Sequence, residues 1–307
     1  MKNIFSYALL FLFLHCRSTS TTHYNEEENH RTFSIDAAEK SYKVSLFSKT
    51  YSALLSPSFS LVLVSPVLVD DSLLYKGNTP TVIPWFNARG VSVWLVHVPP
   101  QTPLKKFGAT VMPQITKAIR KNSTEKKWVM GGVSLGGQAM AHYLVDAKKH
   151  AQESGMDVSA AFFLASPFDY AYPSSFGRRL SSKSIDIKNM RTRFLPQIPA
   201  DLVTELHNLF DGANPVWSET VDPIDATKNH LRLFFTAGKI DNVAPTESVY
   251  KFYTQTIGGN TKNSPDIRLL IPGRMNNYKE DYDHAMMITS EALVDEVLPE
   301  ILRWINL

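Results

Sequence analysis

Residues 132–136 read Gly-Val-Ser-Leu-Gly, the pattern G-x-S-x-G, which places one hydroxyl between two glycines. An apolar run at 128–130 precedes the pattern, and apolar residues at helical spacing follow it. On such a strand-to-helix turn, a strained backbone lifts the serine hydroxyl above the end of a sheet. Glycine is required two positions before and after, because a side chain there would collide with the adjoining strand or helix. The pattern therefore predicts Ser134 as the nucleophile of an acyl-transfer reaction.

The glycines around Ser134 have two other interpretations. A phosphate-binding loop requires lysine followed by serine or threonine, but Gln138 follows Gly137 and the next lysine is Lys148. The dinucleotide-binding spacing G-x-G-x-x-G is not supplied either. A close-packed turn with an idle serine is the structural alternative to a nucleophile.

At these residues the chain resembles the α/β-hydrolase family, whose catalytic triad follows the chain order Ser, Asp or Glu, His. The segment GKIDNVAP at 238–245 resembles the family's G-x-x-D-x-x-x-P turn, so the resemblance implies that Asp241 is the triad acid. An aspartate that only caps the next helix is the structural alternative. Asp169, which follows the apolar segment AAFFLA, is the alternative acid because some relatives carry the carboxylate there.

The same resemblance places the catalytic base after one more strand and just before the last helix. His284 occupies that position, and it is the only one of the 9 histidines that lies beyond Asp241. In a triad this imidazole takes the serine proton, and the carboxylate fixes its tautomer. A buried histidine with a purely structural role is the alternative.

The resemblance also implies an oxyanion hole formed by two backbone N–H groups. One is that of Leu135, directly after the nucleophile. The other is expected from the loop after the strand SLVLV, where Ser65-Pro66 replaces the His-Gly of many relatives. Pro66 has no N–H, so Val67 is the predicted second donor. This departure argues against the esterase branch that carries HGGG at this loop.

These residues predict a serine hydrolase that cleaves a carboxylic ester with a small acyl group, or alternatively a thioester or an amide. The resemblance implies neither a metal nor an organic cofactor. The segment 65–98 also resembles polyhydroxyalkanoate synthases, acyltransferases of the same fold, although those use cysteine where this chain has Ser134. A non-catalytic envelope protein that uses the region over the site for binding is the alternative from another class.

Strands and helices alternate along the chain, which predicts an α/β fold with a mostly parallel sheet and helices on both faces. Strands are predicted at 42–47, 60–64, 91–98, 128–130, 160–165, 231–236 and 267–271, and helices at 80–89, 108–121, 140–147, 247–256 and from 290. The first two strands lack a helix between them and are expected to form an antiparallel edge. The 170–226 segment is longer than one crossover helix needs and predicts a cap insertion over the site.

Composition excludes some partners and suggests a location. A net charge of +3 with scattered basic residues predicts no nucleic-acid binding. The apolar block at 4–14 is too short to span a membrane and resembles a bacterial lipoprotein signal that ends at Cys16, the single cysteine. We therefore expect a signal peptide at 1–16, a polar tether at 17–31 and a hydrolase domain at 32–307. The protein is expected to be exported to the cell envelope and anchored in the membrane by lipid on Cys16, or otherwise secreted.

Overall fold

One sheet of eight strands organises the chain in the computed structural model, which describes residues 30–48, 59–67, 70–76, 81–99, 102–168, 220–257 and 267–307. The strands are β1 (His30–Ala37), β2 (Lys40–Phe47), β3 (Ser60–Val64), β4 (Val93–Val96), β5 (Trp128–Val133), β6 (Val158–Leu164), β7 (Arg232–Thr236) and β8 (Ile267–Leu270). Their order across the sheet is β1-β2-β4-β3-β5-β6-β7-β8. The five pairs β4-β3, β3-β5, β5-β6, β6-β7 and β7-β8 are parallel, which confirms the predicted mostly parallel sheet.

The unbroken apolar run of β3 follows from its central place in the sheet. Leu61 and Leu63 belong to the apolar cluster on one face, whereas Val62 and Val64 belong to the cluster on the other. Both faces of this strand are fully buried. A strand covered on both sides has no polar face, so its sequence does not alternate.

The antiparallel edge exists, but its predicted pairing is wrong. β2 pairs with β4, and it is β4 that lies between β2 and β3. The outer partner of β2 is β1, a strand that the sequence did not predict. Its first residues, His30 and Arg31, fall in the predicted tether. The segment HRTFSIDA is largely polar because most of its side chains lie at the exposed edge of the sheet.

Helices cover both faces of the sheet. They are α1 (Val82–Asn87), α2 (Leu104–Lys106), α3 (Met112–Lys121), α4 (Leu135–Leu144), α5 (Ala147–Ser154), α6 (Ala226–Asn229), α7 (Thr246–Ile257), α8 (Met286–Thr289) and α9 (Leu298–Ile305). A π-helical turn joins α2 to α3, and another leads into α9. Side chains from α2 to α5 and α7 pack on one face, and those from α1, α8 and α9 pack on the other. No helix of the described ranges is long and apolar enough to cross a bilayer.

Parallel strands bring the segments that follow them to one edge of the sheet, and this edge receives the predicted site. The loops after β3, β5, β7 and β8 carry Val67, Ser134, Asp241 and His284 in that order. Cys16, Asp169 and most of the predicted cap at 170–226 lie outside the described residues. The signal peptide and the tether as far as residue 29 lie outside them as well.

Candidate active site

Ser134 occupies the turn between β5 and α4 in a conformation that few side chains adopt. Its φ of 51° and ψ of −129° lie in the positive-φ region. A non-glycine residue in such a region costs on the order of 1–3 kcal/mol and persists only where its surroundings hold it. The hydrogen bond from the Ser134 N–H to the Leu164 carbonyl, at 2.9 Å, ties the turn to the neighbouring strand. The sequence predicted this strained turn.

The flanking glycines are required by close contacts with backbone. A Cβ on Gly132 would lie 2.4 Å from the Cα of Gly137 in α4, and a Cβ on Gly136 would lie 2.1 Å from the Ser65 carbonyl oxygen. Neither backbone neighbour can move without displacing a strand or a helix. The collision expected from the pattern is therefore observed on both sides of the serine.

A continuous hydrogen-bond chain joins the three predicted residues. The Ser134 Oγ lies 3.0 Å from the His284 Nε2, and the His284 Nδ1 lies 2.9 Å from the Asp241 Oδ2. The imidazole is 15% exposed and Ser134 is 8% exposed, whereas the Asp241 side chain is 0% exposed, so the carboxylate end of the chain is sealed from solvent. These contacts are compatible with a catalytic triad, in which proton transfer runs between the first two residues and the third orients the base.

The turn around Asp241 fixes both of its carboxylate oxygens. The Oδ1 accepts hydrogen bonds from the N–H groups of Val243 and Ala244, each at 2.8 Å, and the Oδ2 remains for His284. Such donors replace the hydrogen bonds to water that a buried carboxylate loses. Both N–H groups precede α7, so Asp241 closes its own turn rather than capping that helix, and its two oxygens have separate partners.

The histidine loop is attached directly to the turn that carries Asp241. The Ile240 N–H donates to the Tyr282 carbonyl at 3.0 Å, and a Cβ on Gly238 would lie 2.4 Å from that same oxygen. The Tyr282 hydroxyl donates to the Glu296 Oε2 at 2.7 Å, and burial together with this carboxylate raises the pKa of the phenol well above its usual value. Tyr282 therefore holds the loop two residues before His284.

Replacing Tyr282 with Phe should lower the free energy of unfolding by about 1.5–3 kcal/mol, because a hydrogen bond to a charged group is lost. Turnover should change less than about fivefold, since the backbone contacts of the loop are retained. Urea unfolding followed by circular dichroism, together with ester hydrolysis, measures both. Tyr278→Phe is the matched control, because the Tyr278 hydroxyl makes no hydrogen bond among the described residues. Equal destabilisation by both variants would contradict the role of the Tyr282 hydroxyl.

The two predicted oxyanion donors are the backbone N–H groups of Leu135 and Val67. Leu135 is the first residue of α4, so its N–H belongs to the group that a helix leaves without an intrahelical acceptor. Val67 is 3% exposed and lies in the same apolar cluster as Leu135. Their roles stay predictions, and so does the competition between Asp241 and Asp169, which lies outside the described residues.

A second Ser-His-Asp set, which sequence reasoning missed, lies beside the loop that carries Val67. His97 contacts Asp71 through its Nδ1, and its Nε2 lies 2.9 Å from the Ser45 Oγ. Ser45 is 1% exposed, which excludes it as a nucleophile. No spacing rule links a strand residue, a strand end and a short 3₁₀ helix, so the sequence offered no signal for this set.

His142, on the helix behind the nucleophile, is buried and its Nε2 makes no hydrogen bond with the described residues. Burial lowers its pKa to about 4, with a smaller contribution from Lys105, while Asp222 opposes the shift. The unfolded chain takes up this proton near pH 6.5, before the folded chain does. Stability is therefore present above about pH 6.5 and is lost as the pH falls toward 4.

Replacing His142 with Met should remove up to about 3 kcal/mol of the stability difference between pH 7.5 and pH 4, because a proton acceptor is lost from the unfolded state. Met fills a similar volume without titrating. Urea unfolding at four pH values over this range measures the difference. Identical pH dependence in the variant and the wild type would show that His142 is not the group responsible.

Comparisons with known proteins support the fold and leave the activity open. No family model matches the chain, and no curated protein matches it. Among solved structures, it is similar to the esterase Pf2001 of Pyrococcus furiosus, with a TM-score of 0.57 and 14% identity over 90% of each chain. The carboxylesterase CesB of Bacillus subtilis gives a TM-score of 0.55 and 11% identity over 89% of this chain and 91% of that one.

A further neighbour is a puromycin-hydrolyzing peptidase of Mycobacterium tuberculosis, with a TM-score of 0.51 and 13% identity over 90% of this chain and 38% of that one. The neighbours therefore include both esterases and a peptidase. Together with the mostly parallel eight-stranded sheet, they show that the chain has the α/β-hydrolase fold.

Proposed function

We propose that this protein is a serine hydrolase that cleaves a carboxylic ester through an acyl-enzyme. The observation that carries the proposal is the hydrogen-bond chain from Ser134 through His284 to Asp241, presented on a strained turn at the start of a helix. A fold alone does not imply an activity. A nucleophile, a base and an orienting acid within hydrogen-bond reach are the arrangement that acyl transfer requires.

In the proposed reaction the Ser134 Oγ attacks the ester carbonyl while the His284 Nε2 takes its proton. The Asp241 Oδ2 accepts the Nδ1–H bond and stabilises the imidazolium that forms. The N–H groups of Leu135 and Val67 bind the oxygen that becomes negative in the tetrahedral intermediate. Collapse of the intermediate expels the alcohol, which takes the proton from His284. Water then attacks the acyl-enzyme by the same steps and releases the acid and free Ser134.

Substrates that share an acyl group but differ in the bond to be cleaved test whether the enzyme prefers esters, thioesters or amides. Nitrophenyl esters, a thioester and a nitroanilide of acetate, butyrate and octanoate should give the highest kcat/KM for the esters of short acyl groups. Esters are favoured because their alcohols leave more readily than amines and the carbonyl is more reactive. Ser134→Ala supplies the blank for each substrate. A nitroanilide cleaved faster than the matching ester would replace the proposed esterase by an amidase or peptidase.

We further propose that the enzyme is exported and anchored to the membrane by lipid on Cys16. The support is the short apolar block at 4–14, which ends close to the single cysteine of the chain. A polar segment follows it and would serve as a leash for the folded body. Several acyl chains on one cysteine would hold the protein firmly, whereas a single chain binds only marginally.

Expression in a bacterium with lipoprotein-processing enzymes tests this location. The wild type should enter the detergent phase of a two-phase extraction and incorporate labelled palmitate. Cys16→Ser should incorporate none, and it should be either unprocessed or released by ordinary cleavage. An unlabelled wild type whose mature N-terminus is not Cys16 would contradict lipidation and leave a secreted enzyme.

A further inference from the structure

His97 lies at the centre of a hydrogen-bond network that the proposed reaction does not use. Its Nδ1 contacts the Asp71 carboxylate, which accepts the N–H of the ring. The Nε2 is then left to accept the hydroxyl proton of Ser45, at 2.9 Å. The imidazole and the carboxylate are only 13% and 20% exposed, so the pair is partly shielded from water.

The network is attached, through Asp71, to the far end of the loop that carries Val67. Ser65 begins this loop, and its N–H donates to the Val96 carbonyl at 3.0 Å, while its Oγ accepts the Val98 N–H at 3.1 Å. Asp71 ends the loop and is bound by His97, the residue between Val96 and Val98. The three residues that begin with the last residue of β4 therefore contact both ends of the loop.

The same end of the loop also packs against the histidine side of the site. Asp71 opens the 3₁₀ helix Asp71–Leu74, whose Leu74 belongs to the apolar cluster that contains Met287 and Ile288 of α8. This helix and α8 contact each other. α8 begins two residues after His284, so a shift of the 3₁₀ helix would be transmitted to both sides of the site.

A second anchor matters because the residue before the predicted donor cannot hold the loop through a backbone N–H. Pro66 has no N–H to give, and it precedes Val67 directly. An oxyanion donor stabilises the transition state only when it is fixed in advance at the place where charge develops. A displacement of about 1 Å in a supporting group is enough to cost about 100-fold in rate.

We propose that His97, fixed between Ser45 and Asp71, is a positioning residue that holds the Val67 N–H in the oxyanion hole. The inference rests on the proposed function, since it concerns how that reaction is accelerated. Histidine suits the role because one ring bridges a buried hydroxyl on β2 and a carboxylate on the loop. His97 touches no reacting atom and acts only through the loop at 65–71.

The test compares His97→Ala, His97→Asn and Asp71→Ser with the wild type, using ester hydrolysis and the affinity for a trifluoromethyl ketone. This inhibitor forms a hemiketal oxyanion with the nucleophile and so reports on the hole itself. His97→Ala and Asp71→Ser should lower kcat by about 10- to 100-fold with KM within about threefold. The affinity for the ketone should fall by a similar factor. His97→Asn should recover most of the loss, because its amide can donate to Asp71 in place of the Nδ1.

Asp70→Ser is the matched control for Asp71→Ser. Asp70 is exposed and caps the same 3₁₀ helix through a hydrogen bond to the Ser72 N–H, and serine caps equally well. This control should retain wild-type kinetics. Asp71→Ser alters a partly exposed residue, so it keeps the test open even where His97→Ala fails to fold.

The outcomes separate this inference from the proposed function. Unchanged kcat in folded Asp71→Ser, or a fall in kcat with unchanged ketone affinity, would overturn the positioning role while leaving the hydrolase in place. A loss shared equally by Asp70→Ser would show a general weakening of the 3₁₀ helix and overturn it too. A wild type that hydrolyses no ester and binds no ketone would overturn both.

Discussion

Ser134→Ala is expected to lower kcat for nitrophenyl ester hydrolysis by about 10⁶-fold, leaving only the slow hydrolysis that substrate binding and the oxyanion hole still support. The loss is this large because, among the described residues, the hydroxyl that contacts His284 is that of Ser134. Ser159→Ala, which changes an exposed serine on the neighbouring strand β6, should retain full turnover. Residual activity of Ser134→Ala above a few per cent of wild type would contradict the assignment.

The strained backbone at Ser134 adds a stability readout to this prediction. Alanine at a φ of 51° carries the same strain as serine, whereas glycine adopts this region freely. Ser134→Gly should therefore be more stable than Ser134→Ala by about 1 kcal/mol, after allowing for the greater freedom of glycine in the unfolded chain. Both variants should be inactive. Urea unfolding compares them, and a less stable Ser134→Gly would show that the turn is not strained.

Asp241→Asn should lower kcat by about 10⁴-fold, because it reverses the tautomer of the base. The N–H groups of Val243 and Ala244 hold one oxygen of the side chain, so the asparagine oxygen must take that place. Its NH₂ group then faces the His284 Nδ1 and donates a hydrogen bond to it, so the Nδ1 cannot carry a proton. The proton is forced onto the Nε2, and the imidazole cannot take a proton from Ser134.

The competing acid supplies the control for Asp241→Asn. Asp169→Asn should leave kcat within a few-fold of the wild type, and both variants should fold as shown by circular dichroism. Raising the pH should not restore the activity of Asp241→Asn, because the neutral imidazole carries its proton on the wrong nitrogen and does not have one proton too many. The reverse ranking of the two variants would move the acid to the end of β6 and remove Asp241 from the triad.

The parallel part of the sheet could be predicted because its strands are buried on both faces. A short, continuously apolar and β-branched run such as SLVLV at 60–64 is typical of a strand that is covered on both faces. β1 could not be predicted, because an exposed edge strand needs little apolar character. The position of β4 between β2 and β3 was also beyond sequence reasoning, since pairing between strands that are not consecutive leaves no local signal.

Some residues of the candidate site could likewise be predicted from the sequence, and others could not. Ser134, Asp241 and His284 could be selected because local turn patterns and chain order restrict each of them. The set of Ser45, Asp71 and His97 could not, because its members share only their place beside one loop. Val67 lies on this loop, and its role as an oxyanion donor stays a prediction.

Reaction with a fluorophosphonate probe tests the central claim most directly, because it reports an activated serine without any knowledge of the substrate. The folded wild type should be labelled stoichiometrically, and mass spectrometry of the digest should place the phosphonate on Ser134. Ser134→Ala and heat-denatured wild type should remain unlabelled. Equal labelling of the wild type and Ser134→Ala, or a label on any other residue, would contradict the assignment of Ser134 as the nucleophile of a serine hydrolase.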